Sequence, residues 1–232
     1  MEDSNAGPRT GILLTPHGKV ATPAFMPVAT RGMLRGISPA RVRPLGGEIL
    51  LSNAFHLAAR PGVEAIQAMG GIHHFLGWGG PVLTDSGGFQ VFSFGASSRI
   101  HDGGVQVEHP VRGGLLDWTP ELAFRTQATL GPDIAMVLDV CPPRPGDRDE
   151  VASAVKRTLS WANIQADLHR DRGGAESGQA LFAIVQGGTF PDLREECART
   201  LLDTGFDGFA VGGVSVGEGH EAMMAGVDLS IR

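Results

Sequence analysis

Four stretches of this chain place a polar side chain or a glycine pair directly after an apolar run. Pro81-Val82-Leu83 leads into Thr84-Asp85-Ser86-Gly87-Gly88-Phe89-Gln90, and Ile134-Ala135-Met136-Val137-Leu138 leads into Asp139. Leu181-Phe182-Ala183-Ile184-Val185 ends at Gln186, and Gly208-Phe209-Ala210-Val211 ends at Gly212-Gly213. Each alone also reads as a capped strand end, and the first equally as an Asx-turn beside a core phenylalanine. As a set they suit a planar, polar ligand. Asp139 can accept two N–H bonds from a purine's N1 and exocyclic amine, while Gln186 offers both a donor and an acceptor. Gly213 lets a backbone N–H approach a carbonyl oxygen with no Cβ in the way. The Phe89 ring can stack on a base face, a contact worth about 1–3 kcal/mol in base-binding sites. These are the demands of guanine.

The elements that must bring these residues together follow a strand–helix rhythm. Besides the four runs, Ala24-Phe25-Met26-Pro27-Val28 and Glu48-Ile49-Leu50-Leu51 read as buried strands. Most lack period-two alternation, as parallel strands covered on both faces do. Ser38-Pro39 and Thr119-Pro120-Glu121 read as helix starts, an N-cap followed by proline at the first helical position. Val151, Val155, Leu159 and Ala162 recur at helical spacing after Asp147. A further helix runs from Pro191 to Leu202 and stops before Gly205, and Glu221 to Leu229 reads as a last one. Gly11-Ile12-Leu13-Leu14 and Val20-Ala21-Thr22 flank Pro16-His17-Gly18 as a hairpin. This order predicts right-handed crossovers and a parallel sheet, with the four polar ends on one rim. Residues 86–118 break the rhythm as a glycine-rich insertion with short strands such as Val105-Gln106-Val107, the pattern of a lid or binding loop.

The formal net charge of −6 carries no global nucleic-acid footprint, so such contacts would need a local basic patch. Cys141 and Cys197 show neither metal-ligand spacing nor a disulfide framework, and a reducing, cytoplasmic setting is the expectation. The first residues show no signal segment and no apolar run is long enough to span a bilayer. His73-His74, set between Gly71-Ile72 and Phe75-Leu76, reads as packing and not as a ligand pair.

The chain resembles the tRNA-guanine transglycosylases (queuine tRNA-ribosyltransferases) from Arg9 to about Met224. The resemblance rests on Thr22-Pro23-Ala24-Phe25-Met26-Pro27-Val28, on Asn53-Ala54-Phe55-His56-Leu57 with Arg60-Pro61-Gly62, and on residues 85–93. It continues through Leu138-Asp139-Val140-Cys141, Ile184-Val185-Gln186-Gly187-Gly188 and Val211-Gly212-Gly213-Val214-Ser215-Val216-Gly217-Glu218. It implies an α/β fold, a modified TIM (β/α)8 barrel with about six of eight strands present, an N-terminal hairpin and a long insertion after the third strand. The activity implied is exchange of wobble guanine in tRNAs with GUN anticodons for a 7-deazaguanine, preQ1 or queuine, by double displacement. By motif, Asp85 is the acid/base group, Ser86, Gly87, Gly88 and Phe89 line the base site, and Asp139, Gln186 and Gly213 read the base edge. The target nucleotide would be flipped from its stack.

The match also has departures. The family's covalent nucleophile is an aspartate well downstream of the glycine-rich Val211 to Glu218 motif, and its zinc site of three cysteines and one histidine lies later still. Asp228 follows too soon to be that nucleophile, and two cysteines cannot make that zinc site. The expectation is a single domain over residues 1–232, incomplete at its C-terminus, with zinc bound in the segment beyond. Such a chain would be an inactive fragment of an enzyme that is a homodimer when whole, or else a non-catalytic base- or tRNA-binding subunit of a heteromer. Val140 stands where bacterial members commonly place an acid, which leaves the inserted base open. The stretch His109-Pro110-Val111-Arg112-Gly113-Gly114 departs from the family pattern, so lid contacts do not carry over there.

Overall fold

The computed structural model describes residues 9–88, 98–142 and 146–230. Five parallel strands form its central sheet: β3 (Leu50–Asn53), β4 (Val82–Asp85), β8 (Ile134–Met136), β9 (Ala180–Val185) and β10 (Gly208–Val211). They lie in the order β10-β9-β8-β4-β3, with Leu51 beside Leu83 and Ala210 beside Ile184. The described strands make an open sheet, a partial barrel and not a closed one. An antiparallel hairpin precedes it, β1 (Gly11–Thr15) with β2 (Gly18–Thr22).

The strand expected at Ala24 to Val28 reduces to a single parallel bridge, Val28 to Leu51. Pro23 and Pro27 have no N–H to give to a ladder. What remains is the Pro27 carbonyl accepting from Leu51 at 3.0 Å and the Ala29 N–H donating back to Leu51. The helix expected from Ser38 is likewise replaced by two short 3-10 turns, Pro39–Arg41 and Arg43–Leu45. Ser38 makes no side-chain cap, Pro44 removes a donor the next turn would use, and Gly46 ends the segment at φ 88°.

Helices α1 (Ala54–Ala59), α2 (Val63–Ala68) and α3 (Ile72–Leu76) lie between β3 and β4. Helix α4 (Pro120–Leu130) begins as its sequence predicts: Thr119 accepts from the Leu122 N–H, Pro120 occupies the first turn, and Glu121 faces the positive helix end. Asp147 accepts from the Asp149 and Glu150 amides to start α5 (Arg148–Asp171). Helices α6 (Pro191–Thr204) and α7 (His220–Ser230) follow β9 and β10. The insertion after β4 carries a three-stranded antiparallel sheet, β5 (Ser98–His101), β6 (Gly104–Glu108) and β7 (Leu115–Trp118). Val105, Val107 and Trp118 bury its inner face against Phe55, Ala154 and Trp161, so it is seated on α1 and α5.

The amino-end floor of the sheet is fastened by a carboxylate. Asp133, just before β8, has a fully buried side chain. Its Oδ1 accepts from the His17 backbone N–H at 3.0 Å and pairs with His17 Nδ1 at 2.9 Å. Its Oδ2 accepts from the Val82 N–H and pairs with His73 Nε2, each at 2.9 Å. Those bonds hold the carboxyl below the usual carboxylate range against the opposing effect of burial. His17, His73 and Asp133 are close enough for a shared metal ion. The two imidazoles stack at 3.6 Å and 17°, and each pairs with one oxygen of the carboxylate. The cluster is a clasp that ties hairpin, α3 and sheet together.

Candidate active site

The opposite, carboxyl-end rim opens on a cavity of about 710 Å³. Asp85, Asp139, Gln186, Gly212 and Gly213 all line it, from the ends of four different strands. Its deeper wall is apolar, with Leu51, Met136 and Ile184 among the lining residues.

Asp85 ends β4 in register with Asn53 at the end of β3. Asn53 caps α1 by accepting from the His56 N–H at 3.1 Å, and its Nδ2 donates to Asp85 Oδ2 at 3.2 Å. One side chain thus starts a helix and orients the acid. Burial raises the Asp85 pKa, opposed by the Ser86 and Gly87 amides and by Asn53.

Asp139 is held differently. The sheet ladder of β8 stops at Met136, two residues before the expected strand end at Leu138, because helix side chains then take over the backbone. Gln127 of α4 accepts from the Met136 N–H at 3.1 Å and donates to the Met136 carbonyl at 2.9 Å. Gln165 of α5 accepts from the Leu138 N–H, and Thr158 of α5 accepts from the Val140 N–H at 2.9 Å. Asp139 therefore hangs between two amides held by α5. Its pKa is pushed up to about 7 by burial first and by the Asp85 charge second, against the Gln186 hydrogen bond.

Gln186 Nε2 donates to Asp139 Oδ2 at 2.6 Å, and Gln186 Oε1 is buried with no partner among the described residues. Gly213 sits at φ 63°, and a Cβ there would stand 2.5 Å from that orphaned oxygen. Ser86, Gly87 and Gly88 stand behind the cavity and are absent from its lining. The Ser86 carbonyl accepts from Trp118 Nε1 at 3.1 Å. A Cβ on Gly87 would meet Phe55 at 2.3 Å, and one on Gly88 would meet Asp139 Oδ1 at 2.8 Å. The two glycines permit close packing around the acids. Phe89 lies outside the described residues.

Cys141 also lines the cavity, but burial and the charges of Asp139 and Glu218 push its thiol up to about 11, which removes it as a nucleophile near neutral pH. Cys197 is buried beneath β9, its sulfur accepting from the Gln186 N–H at 3.3 Å. Neither cysteine fits the three-thiolate zinc set that the resemblance implies. The Glu218 carboxylate accepts from the Ser215 and Val216 amides, curling the segment after β10 onto itself with Ser215 at φ 62°. The orienting residues Asn53, Gln127, Thr158 and Gln165 were not among the sequence candidates. The available signal was spacing: Val151, Thr158 and Gln165 lie seven apart, on the stripe that α5 buries.

A parallel α/β sheet with acids on its carboxyl-end rim has the ground plan of a barrel enzyme. The chain belongs to the queuine tRNA-ribosyltransferase family, whose model matches residues 3–232. It is 48% identical over 220 residues to the queuine tRNA-ribosyltransferase of Synechococcus sp. (strain CC9311), an overlap of 95% of this chain and 58% of that protein. The proteins of the same name from Pelotomaculum thermopropionicum and Nitrosospira multiformis are 46% and 49% identical, over 99% and 90% of this chain. The chain spans 61% and 56% of their lengths.

Proposed function

We propose that the rim cavity binds guanine and its 7-deaza relatives, and that this chain is the base-reading part of an enzyme exchanging the wobble guanine of GUN-anticodon tRNAs. The observation that carries this is the convergence of Asp139, Gln186 and Gly213 on one cavity, with Gln186 Nε2 donating to Asp139 Oδ2 at 2.6 Å. Ionised Asp139 then accepts from N1–H and the exocyclic amine, Gln186 orients that carboxylate, and the Gly213 amide donates to O6. Val140, buried beside Asp139, offers no second acid, so preQ1 and queuine remain equal candidates.

In the exchange a carboxylate oxygen bonds to ribose C1′ as the C1′–N9 bond breaks, and guanine departs with that electron pair and takes up a proton. The incoming base loses its N9 proton, attacks C1′ and displaces the carboxylate, with net retention. Asp85 suits the proton-handling role, since burial keeps its carboxyl more readily protonated than an exposed one. The three-stranded insertion is the element we assign to holding the flipped nucleotide. The cavity's two carboxylates are then both occupied, one with protons and one with the base, and neither is free to attack.

The chain alone is therefore expected to bind guanine and not adenine in a calorimetric titration, and to incorporate no labelled guanine into tRNA. Lack of guanine binding overturns the base-reading role. Robust incorporation overturns the assignment of the two carboxylates and the expectation of inactivity.

A further inference from the structure

Arg194 belongs to no ion pair among the described residues, yet it is fully buried. Its Nε donates to the Gly188 carbonyl at 2.7 Å, and one terminal nitrogen donates to Ser230 Oγ at 3.0 Å. The other reaches the Gly212 carbonyl at 2.9 Å and the Gly213 carbonyl at 3.4 Å. One side chain on α6 thereby ties the turn after β9, the turn after β10 and the end of α7. The surrounding chain makes room for it. A Cβ on Gly187 would lie 2.5 Å from Arg194 Cγ, and one on Gly226 of α7 would lie 3.4 Å from two guanidinium nitrogens.

Burying a cation among neutral carbonyls is unfavourable compared with an apolar residue of similar size. What the guanidinium provides is a rigid fork of five N–H groups, able to fix several carbonyls at once where lysine offers a mobile point charge. In a trans peptide the C=O and the following N–H point in opposite directions. Turning the Gly212 and Gly213 carbonyls toward Arg194 therefore turns the Gly213 and Val214 amides away from it. Gly212, Gly213 and Val214 line the cavity, and Arg194 does not.

We propose that Arg194 is a positioning residue, whose guanidinium holds the Gly212 and Gly213 carbonyls outward so that the Gly213 and Val214 amides present donors to the oxo group of a bound base. It acts through the backbone and touches no ligand. The proposal rests on the base-binding reading above and adds the residue that fixes its oxo-group selectivity.

The test compares guanine with 6-thioguanine, which keeps N1–H and the exocyclic amine but carries a weakly accepting sulfur in place of the 6-oxo oxygen, on the wild-type chain and on Arg194→Met and Arg194→Lys. Both variants should lose about tenfold in guanine affinity, the weight of one hydrogen bond to the oxygen, and change little in 6-thioguanine affinity. A merely structural arginine would weaken both bases together. An equal loss for both, or no loss for either, overturns the proposal. Should Arg194→Met fail to fold, Arg194→Lys keeps the charge and the aliphatic stem and carries the same comparison. A wild-type chain that binds neither base overturns the base-binding reading itself, a different result from retained binding with unchanged selectivity.

Discussion

Gln186 donates its side-chain N–H to Asp139 Oδ2 across 2.6 Å, and its own oxygen is unpaired among the described residues. The two side chains lie 47 residues apart, on neighbouring strand ends of the sheet. Their bond favours the charged form of an acid that burial and Asp85 push the other way. The pair is therefore poised between protonation states near neutrality, where a ligand N–H can decide the balance.

The first consequence concerns stability and pH. Asp139 is raised to about 7 in the folded chain, so its contribution to folding is fully present below the ordinary carboxylate value and is lost as pH rises through about 7. Urea unfolding of the wild-type chain and Asp139→Asn should show the wild type losing ground between pH 5 and pH 8. The loss is on the order of 3 kcal/mol. A difference that stays flat with pH would contradict the raised value.

Coupling to Asp85 is separable from burial. Removing that charge with Asp85→Asn should lower the Asp139 pKa without restoring it fully, since burial is the larger cause. Carboxyl carbon shifts followed by NMR across pH 4–9 measure this directly. An unmoved Asp139 midpoint would show that the two acids do not sense each other.

At the floor of the sheet, Asp133→Asn should cost about 2–4 kcal/mol, because an amide replaces an acceptor of four N–H groups with one part donor. The Asp133 carboxyl is depressed, so its contribution is present above the ordinary carboxylate value and is lost as pH falls toward the lowered one. Denaturant midpoints should therefore converge for variant and wild type in acid. A gap that persists or widens at low pH would remove the carboxylate from the argument.

Gly213→Ala tests the glycine at the rim. Its positive φ and the 2.5 Å approach to Gln186 Oε1 should cost about 1–2 kcal/mol of stability and suppress guanine binding. Gly146→Ala, where an added Cβ meets nothing within 4 Å, serves as the comparison and should bind as the wild type does. Equal binding by both variants would show that Gly213 does not approach the ligand.

The rim was legible in the sequence because each of its residues follows an apolar run, and parallel strands must end on a common side. Two expected elements were not formed, and in both cases proline decided: Pro23 and Pro27 left one bridge of a strand, and Pro44 cut a helix to short turns. Gln127, Thr158, Gln165 and Arg194 were hidden for another reason. A polar residue in a helix normally reads as solvated surface; the seven-residue spacing from Val151 places Thr158 and Gln165 on the buried stripe, but no local pattern shows which backbone groups the four side chains meet.

The early end of β8 gives this site an outside handle. Because Leu138 and Val140 hang from α5 and not from a neighbouring strand, the carboxylate between them inherits its height from the seating of one helix. A change of volume at Val155 or Ala162, on the buried stripe of α5, would shift Asp139 while leaving every cavity-lining side chain intact. Selectivity for the base could thus be retuned from the far side of the barrel wall, by repacking and not by recutting the pocket.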